Sequence, residues 1–310
     1  MAEFNNRVYG AAVVKAVNSN YNADFSGQPR TLPNGVVYAT DKAYKYTCKN
    51  YMKDVFSGEK IFYFKSLNAN LNPLSLDETY KKYFGEFPKK GKDVIKSEVA
   101  KNLLSCLDIR LFGATFAGEA NISLHGPVQV NHGVNIWKEN NIYTEQITSP
   151  FSNKSNDPEV EKGMTTIGRQ SKLEEGHYLH HFSINPGNLK DIIAVAADGA
   201  QKLTEEDIEK LKEAMRRGAT WYDSASKAGC ENEMLVWVQL NENSKNVLPN
   251  FTTLIDLKDE KKEGKYVYDF TKLKAELDKL SSDIKSVEVY YNKQTILLEN
   301  LPNKTQENDL

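Results

Sequence analysis

The sequence has no apolar run near the ~20 residues that a membrane span needs. Its best early apolar stretch, Gly10 to Val17, is short and broken by Lys15, so it makes a poor leader peptide. Cysteine is scarce. Cys48, Cys106 and Cys230 are far apart, odd in number and form no CxxC pair. Neither a disulfide framework nor a structural zinc site is therefore expected, and a reducing cytoplasm is the simplest compartment. Arginine supplies only six of the 40 basic residues, which we read as codon bias rather than chemistry. Common catalytic signatures are missing as well: no G-x-S-x-G elbow, no H-E-x-x-H pair and no G-x-G-x-x-G fingerprint. Gly113 to Gly118 has the first spacing of a phosphate loop, but Glu119 stands where lysine is required. Nothing points to a nucleophile with its base, or to a bound cofactor.

What is present is a globular balance. The 310 residues are 40% hydrophobic and 26% charged, enough for one large decorated core or two smaller ones. The net charge of −2 argues against a wholly basic nucleic-acid binder. Its distribution is uneven: residues 1–138 hold 18 basic and 12 acidic side chains, and residues 139–310 hold 22 and 30. Such a dipole suits a polyanion on one side, and it also suits an ordinary mixed surface.

Residues 7–17 read as a buried strand, and 18–35, rich in Asn, Pro and Gly, as a long loop of the kind that carries function. Asp41 is a plausible cap for a helix over 42–54, on which Lys42, Lys45, Lys49 and Lys53 share one face. Further expectations are a short strand at 60–65, helices at 75–84 and 93–107, and strands at 109–117 and 122–130 joined by a turn from Gly118 to Asn121. From Trp137 to Glu175 the pattern dissolves into polar sequence. Strands are then predicted at 177–184, 233–240, 251–257 and 285–291, with helices at 204–217 and 270–281. Thr204 and Asp207 form a capping box for the first of these helices, and Arg216 and Arg217 close it. The tail from Asn300 reads as loose. His177, His180 and His181 would alternate on a strand, with His177 and His181 on one side, which favours structural histidines over a metal site. Lysines and backbone amides can hold phosphates without reading bases, and a strand-borne Phe can stack on one.

Four segments stand in order, DIRLFGATF at 108–116, HGPVQVNHG at 125–133, MTTIGRQSKLEEGHY at 164–178 and RRGATWYDSASKAG at 216–229, preceded by the strand, loop and helix of 16–46. Taken together, they resemble the CRISPR-associated backbone subunit of Cascade surveillance complexes, type I-B members most closely. One departure is local: the first loop reads Asn18-Ser19-Asn20-Tyr21 where the family usually has Pro and Gly after its first Asn.

The resemblance implies an α+β fold, a modified RNA-recognition-motif or ferredoxin-like palm. The palm would use strands 7–17, 109–117, 122–130, 177–184 and 233–240, with helices 41–54 and 204–217 on one face. A helical insertion would occupy 56–107 and a thumb 136–168, where Trp137, Ile147, Phe151 and Met164 could wedge between bases or pack on the next copy. The implied function is non-catalytic: copies line up along a CRISPR RNA and present it to target DNA beside the large, small and handle-binding subunits. The implied RNA contacts are Arg30, Lys42, Lys45, Lys49, Arg110, Phe112, Gln129, Asn131, Arg169, Gln170 and Lys172. Arg110 could instead pair with Asp108, and Phe112 could be core. The rival reading is a type III kind of backbone subunit that cuts RNA with Asp24; a stand-alone RNA-binding protein is a third.

Overall fold

The computed structural model describes residues 2–148, 151 and 167–310. In chain order, β1 (Val8–Ser19) leads through the 18–35 loop and β2 (Tyr38–Ala39) into α1 (Asp41–Val55). Next come α2 (Leu76–Phe84), a small ladder of β3 (Lys89–Lys90) and β4 (Asp93–Val94), then α3 (Lys96–Leu104) and α4 (Leu107–Phe112). A hairpin of β5 (Gly113–Ala117) and β6 (Asn121–His125) precedes β7 (Val128–Val130), β8 (Gly133–Asn135), β9 (Ile142–Thr148) and the long β10 (Ile167–Ile184). The chain continues through α5 (Lys190–Val195), α6 (Glu205–Trp221), β11 (Cys230–Leu240), β12 (Asp256–Leu257) and β13 (Tyr266–Asp269). It finishes with α7 (Thr271–Asp278), β14 (Ile284–Tyr291), β15 (Ile296–Glu299) and β16 (Thr305–Asp309).

The main sheet runs β16-β14-β11-β1-β10-β8-β2 and is antiparallel except for the β14–β16 pair. β1 sits centrally, with Val8 opposite Ile184 of β10 and Gln239 of β11. Both faces of the sheet are covered, so β1 is buried continuously from Val8 to Val14 instead of alternating. Val8, Ala12 and Val14 point to a core shared with α1, α6 and the helices of 56–107. Tyr9, Ala11 and Val13 point to a second core built with β13, α7 and Phe251. α1 and α6 pack side by side, and Gly218 makes this possible: a Cβ there would lie 2.8 Å from the Thr47 carbonyl oxygen. Among the described residues no helix is long and apolar enough to cross a membrane.

Several expectations need correction. α1 is capped by Thr40, whose hydroxyl accepts from the Ala43 amide, and Asp41 lies in its first turn. Residues 60–65 form no strand, because the Phe62 and Tyr63 amides each donate to the Asp108 carboxylate at 2.8 Å. The first half of 109–117 is helical. Ile109, Arg110 and Leu111 are buried in one turn, α4, which ends at Gly113 with φ 77°. β5 and β6 then make their own two-stranded sheet rather than joining the main one. α6 does begin with the Thr204–Asp207 capping box, but it runs past Arg216 and Arg217 to Trp221. Residues 251–257 are a 3-10 turn, Phe251–Thr253, set by the Asn250 side chain, followed by the short β12. The tail is not loose: Thr305–Asp309 pairs in parallel with β14, and the Tyr291 hydroxyl donates to Glu307 at 2.5 Å.

Candidate nucleic-acid interface

The lysine stripe of α1 divides by burial. Lys42 is exposed and has no partner among the described residues. Lys45 is half-buried, pairs with Asp41 at 3.2 Å and lies over the Phe112 ring, 5.8 Å from its centre. Lys49 turns inward and donates to the Tyr63 carbonyl at 2.8 Å. Burial lowers its pKa, and the Asp108 carboxylate partly opposes this. Lys53, at the far end of the stripe, is exposed beside Asp54, so the stripe faces solvent at both ends and turns inward at Lys49.

Arg110 is no surface contact. It is 4% exposed and clasps Asp207, with Nη2 to Oδ1 at 2.8 Å and Nε to Oδ2 at 3.2 Å, while Nη1 donates to the Leu104 carbonyl. Its partner is not Asp108, whose carboxylate is taken by the 62–63 amides. Phe112 is half-buried on the first core and leaves one face to Lys45. Both faces of the sheet are covered at β1, so rings there have no open face for a base, and the exposed candidates lie at the sheet's rim.

That rim is built from three segments. The β7–β8 connection docks on the first turn of α1. There the Asp41 amide donates to His132 Nδ1 at 3.3 Å, and the His132 ring lies 5.4 Å from Tyr38. Asn131 is exposed beside it, with its amide on the His181 carbonyl and its own carbonyl 3.0 Å from His180 Nδ1. Gln129 is exposed and donates to the Gly126 carbonyl at 2.8 Å.

The 18–35 loop is the second segment. Asn22 Oδ1 accepts from the Thr40 amide and hydroxyl, so the loop is tied to the cap of α1. Asn20 donates to the Ser171 carbonyl, Gln28 reaches Thr144, and Lys227 donates to the Tyr21 carbonyl. Arg30 donates from Nε to the Ala23 carbonyl and lies 6.0 Å from the centre of the Phe25 ring. Asp24 Oδ1 accepts from the Ser26 amide and hydroxyl at 2.8 Å and from the Gln28 amide at 3.0 Å. The Ser26 hydroxyl leads in holding the Asp24 carboxyl below its usual pKa.

The third segment is a hairpin. β9 pairs with residues 167–173 of β10, from Thr148 opposite Ile167 to Ile142 opposite Leu173. Arg169 is exposed on it, Gln170 donates to the Ala225 carbonyl at 3.3 Å, and Lys172 pairs with Glu145 at 3.5 Å. Trp137 is not part of the projecting element: it packs on the second core against Tyr266. Ile147 is exposed on the hairpin, whereas Met164 and residues 149–150 and 152–166 lie outside the described residues. Beside Lys42 and Lys45 of α1 these segments thus place Arg30, Gln129, Asn131, Arg169, Gln170 and Lys172, with Phe112 half-buried under Lys45, and they leave out Lys49 and Arg110. Sequence reasoning missed His132, Tyr143, which donates to Asn18, and Phe25, the single Phe of the 18–35 loop.

Beneath the hairpin root, the three histidines alternate across β10. His180 packs on Tyr21 and Tyr44 in the first core, and His181 on Phe251 on the other side. His177 is fully buried between two carboxylates, with Nδ1 2.6 Å from Glu233 and Nε2 3.2 Å from Glu175. Tyr268 and Tyr266 donate to the same two carboxylates. Burial alone would lower the His177 pKa, but Glu233 and Glu175 outweigh it and raise the value. The hydrogen bond from His177, ahead of the one from Tyr266, brings Glu175 down to about 2.

A family profile described as CRISPR-associated protein Cas7 matches residues 6–278. No curated protein matches the sequence. Among solved structures, a chain of a "CRISPR RNA-guided surveillance complex" is 12% identical with a TM-score of 0.56, covering 98% of this chain and 95% of that one. A chain of a "CRISPR RNA-guided surveillance complex, pre-nicking" is 13% identical with a TM-score of 0.58, covering 98% and 96%. Likeness at such identities establishes a shared fold.

Proposed function

The chain belongs to the CRISPR-associated protein Cas7 family, and on that premise we propose that it is the repeated guide-RNA-binding subunit of a type I Cascade surveillance complex, of type I-B kind. The observation that carries this reading is the rim. Arg30 on the 18–35 loop, Lys42 and Lys45 on α1, and Arg169 and Lys172 on the hairpin lie on elements that hydrogen bonds join through the loop, which gathers cations from distant parts of the chain. Such a set of cations with few base-reading groups suits a phosphate backbone of any sequence.

The palm reading is supported by strand order. β11-β1-β10-β8, with α1 and α6 together on one face, is the order of a split βαβ, or ferredoxin-like, unit. In this reading the β9–β10 hairpin is the stem of the thumb, residues 56–107 are the helical insertion, and the thumb of one copy reaches the next. Partners are CRISPR RNA, further copies of the chain, the other Cascade subunits and, through base pairing, target DNA, all in the cytoplasm. The subunit itself does not cut. Asp24, the residue of the rival nuclease reading, spends one carboxylate oxygen on three hydrogen bonds that shape its own turn.

Electron microscopy of the full chain purified with small RNA tests the proposal. A regular helical array along RNA is expected; a chain that neither retains RNA nor assembles on it would refute it.

A further inference from the structure

Phe25 is 106% exposed, the most exposed large apolar side chain among the described residues. Its setting is not a floppy one. The turn around it is fixed by the Asp24 carboxylate, by the Asp24 amide on the Gln28 carbonyl at 2.8 Å and by Asn20 on the Gly27 carbonyl at 3.1 Å. Gly27 supplies the positive φ of 83°. None of these bonds uses the Phe25 side chain, so folding asks for no ring at this position. The ring is nevertheless held out from the rim with the Arg30 guanidinium 6.0 Å from its centre, and Gln28 and Thr144 lie on the flanking loop and hairpin. A flat π-face beside a cation matches a ligand that is flat and anionic at once. A nucleotide has both parts, a base for the ring and a phosphate for the guanidinium. An aliphatic side chain of a protein partner would use the ring and leave Arg30 idle.

Building on the RNA-binding reading above, we infer that Phe25 is a stacking platform for an unpaired base of the bound RNA, with Arg30 on the adjoining phosphate. Each bound copy then holds one base at this loop, at the foot of the hairpin, separately from the backbone contacts of α1.

The test uses the full-length chain and single-stranded RNA carrying 2-aminopurine at successive positions. Stacking is expected to quench the probe at particular positions. Phe25→Ala should relieve that quenching and weaken binding roughly tenfold, with the salt slope unchanged because no phosphate contact is lost. Phe25→Trp should restore both, and neither variant should shift the melting temperature, since the side chain is in solvent. If Phe25→Ala keeps both affinity and quenching while removal of Lys42 flattens the slope, the RNA-binding reading stands and the platform is wrong. If Phe25→Ala keeps the affinity of one copy and its quenching but abolishes multi-copy assembly, the ring docks on protein and the inference is overturned. Wild-type protein that binds no RNA would remove the functional reading itself, and the platform with it.

Discussion

Arg110 and Asp207 form a two-pronged ion pair inside the first core, joining α4 to the first turn of α6. Asp207 is also the capping-box acid, accepting from the Thr204 amide at 3.0 Å. Arg110→Ala strands this buried carboxylate, and removal of one partner of such a pair costs about 3–5 kcal/mol. We expect a large drop in the urea midpoint with no change in the RNA salt slope. Arg110→Lys should recover little, because an ammonium cannot serve both oxygens and the Leu104 carbonyl in one plane. An unchanged midpoint with weakened RNA binding would return Arg110 to the interface.

The α1 lysines should behave as two kinds of residue. Lys42→Ala is expected to reduce the magnitude of the log–log salt slope by about 0.7, the value for one phosphate contact on a single strand. Lys49→Ala should leave the slope alone and lower stability, since its ammonium serves the Tyr63 carbonyl near Asp108. Fluorescence anisotropy across a potassium chloride series separates the two, and equal slopes for wild type and Lys42→Ala would mean that the exposed end is merely solvated.

The His177 network predicts a pH dependence with a definite sign. The folded pKa of His177 lies above its unfolded value of about 6.5. Its stabilisation is therefore complete below that value and is lost as pH rises through the folded pKa. Glu175 acts oppositely: with a folded pKa of about 2 against 4.5, it stabilises above 4.5 and its contribution is lost as pH falls toward 2. The stability difference between wild type and His177→Gln, measured by urea unfolding, should shrink as pH rises from about 6.5 into the alkaline range. A difference that stays flat or grows across that window contradicts a charged imidazole between the two carboxylates.

Replacing residues 149–166 with a short Gly-Ser turn should leave the melting temperature nearly unchanged. The β9–β10 ladder from Ile142 to Thr148 and the second core both remain. Ordered multi-copy assembly on RNA should nevertheless be lost. Gel filtration with and without RNA reads the second outcome, and normal assembly of the shortened chain would end the thumb reading.

RNA-loaded protein incubated with complementary RNA and Mg²⁺ should release no cleavage products. Asp24→Ala should behave identically in that assay while loosening the loop, seen as faster proteolysis between Asn18 and Gly35. Cleavage by wild type that disappears in Asp24→Ala would favour the nuclease reading.

Elements whose own residues decide their form were readable directly. The apolar 7–17 run and the Thr204–Asp207 box became β1 and the start of α6. Elements decided by a distant partner were not. Phe62 and Tyr63 sit in a strand-like pattern, but their amides go to a carboxylate at position 108. α4 is one turn buried on several sides, so it shows no helical period and its Ile and Phe suggest a strand. Asp108 was the obvious local partner for Arg110, whereas the true one is 97 residues away. At the rim, α1 and the loop were legible through family resemblance. Phe25 was not, because total exposure is a property of the fold and leaves no mark on composition.

The central place of β1 fixes the timetable of folding. Its neighbours on either side, β10 and β11, come from the far half of the chain, and β1 is buried on both faces only when both have arrived. At ribosomal rates of about 5–20 residues per second, an unpaired, β-branched strand waits on the order of ten seconds or more. Such a segment is an aggregation hazard during that interval. Lys15 is its only charged residue. In the finished fold it pairs with Glu231 at 2.5 Å; before Glu231 has been synthesised, the same charge is a gatekeeper that discourages two nascent chains from pairing with each other.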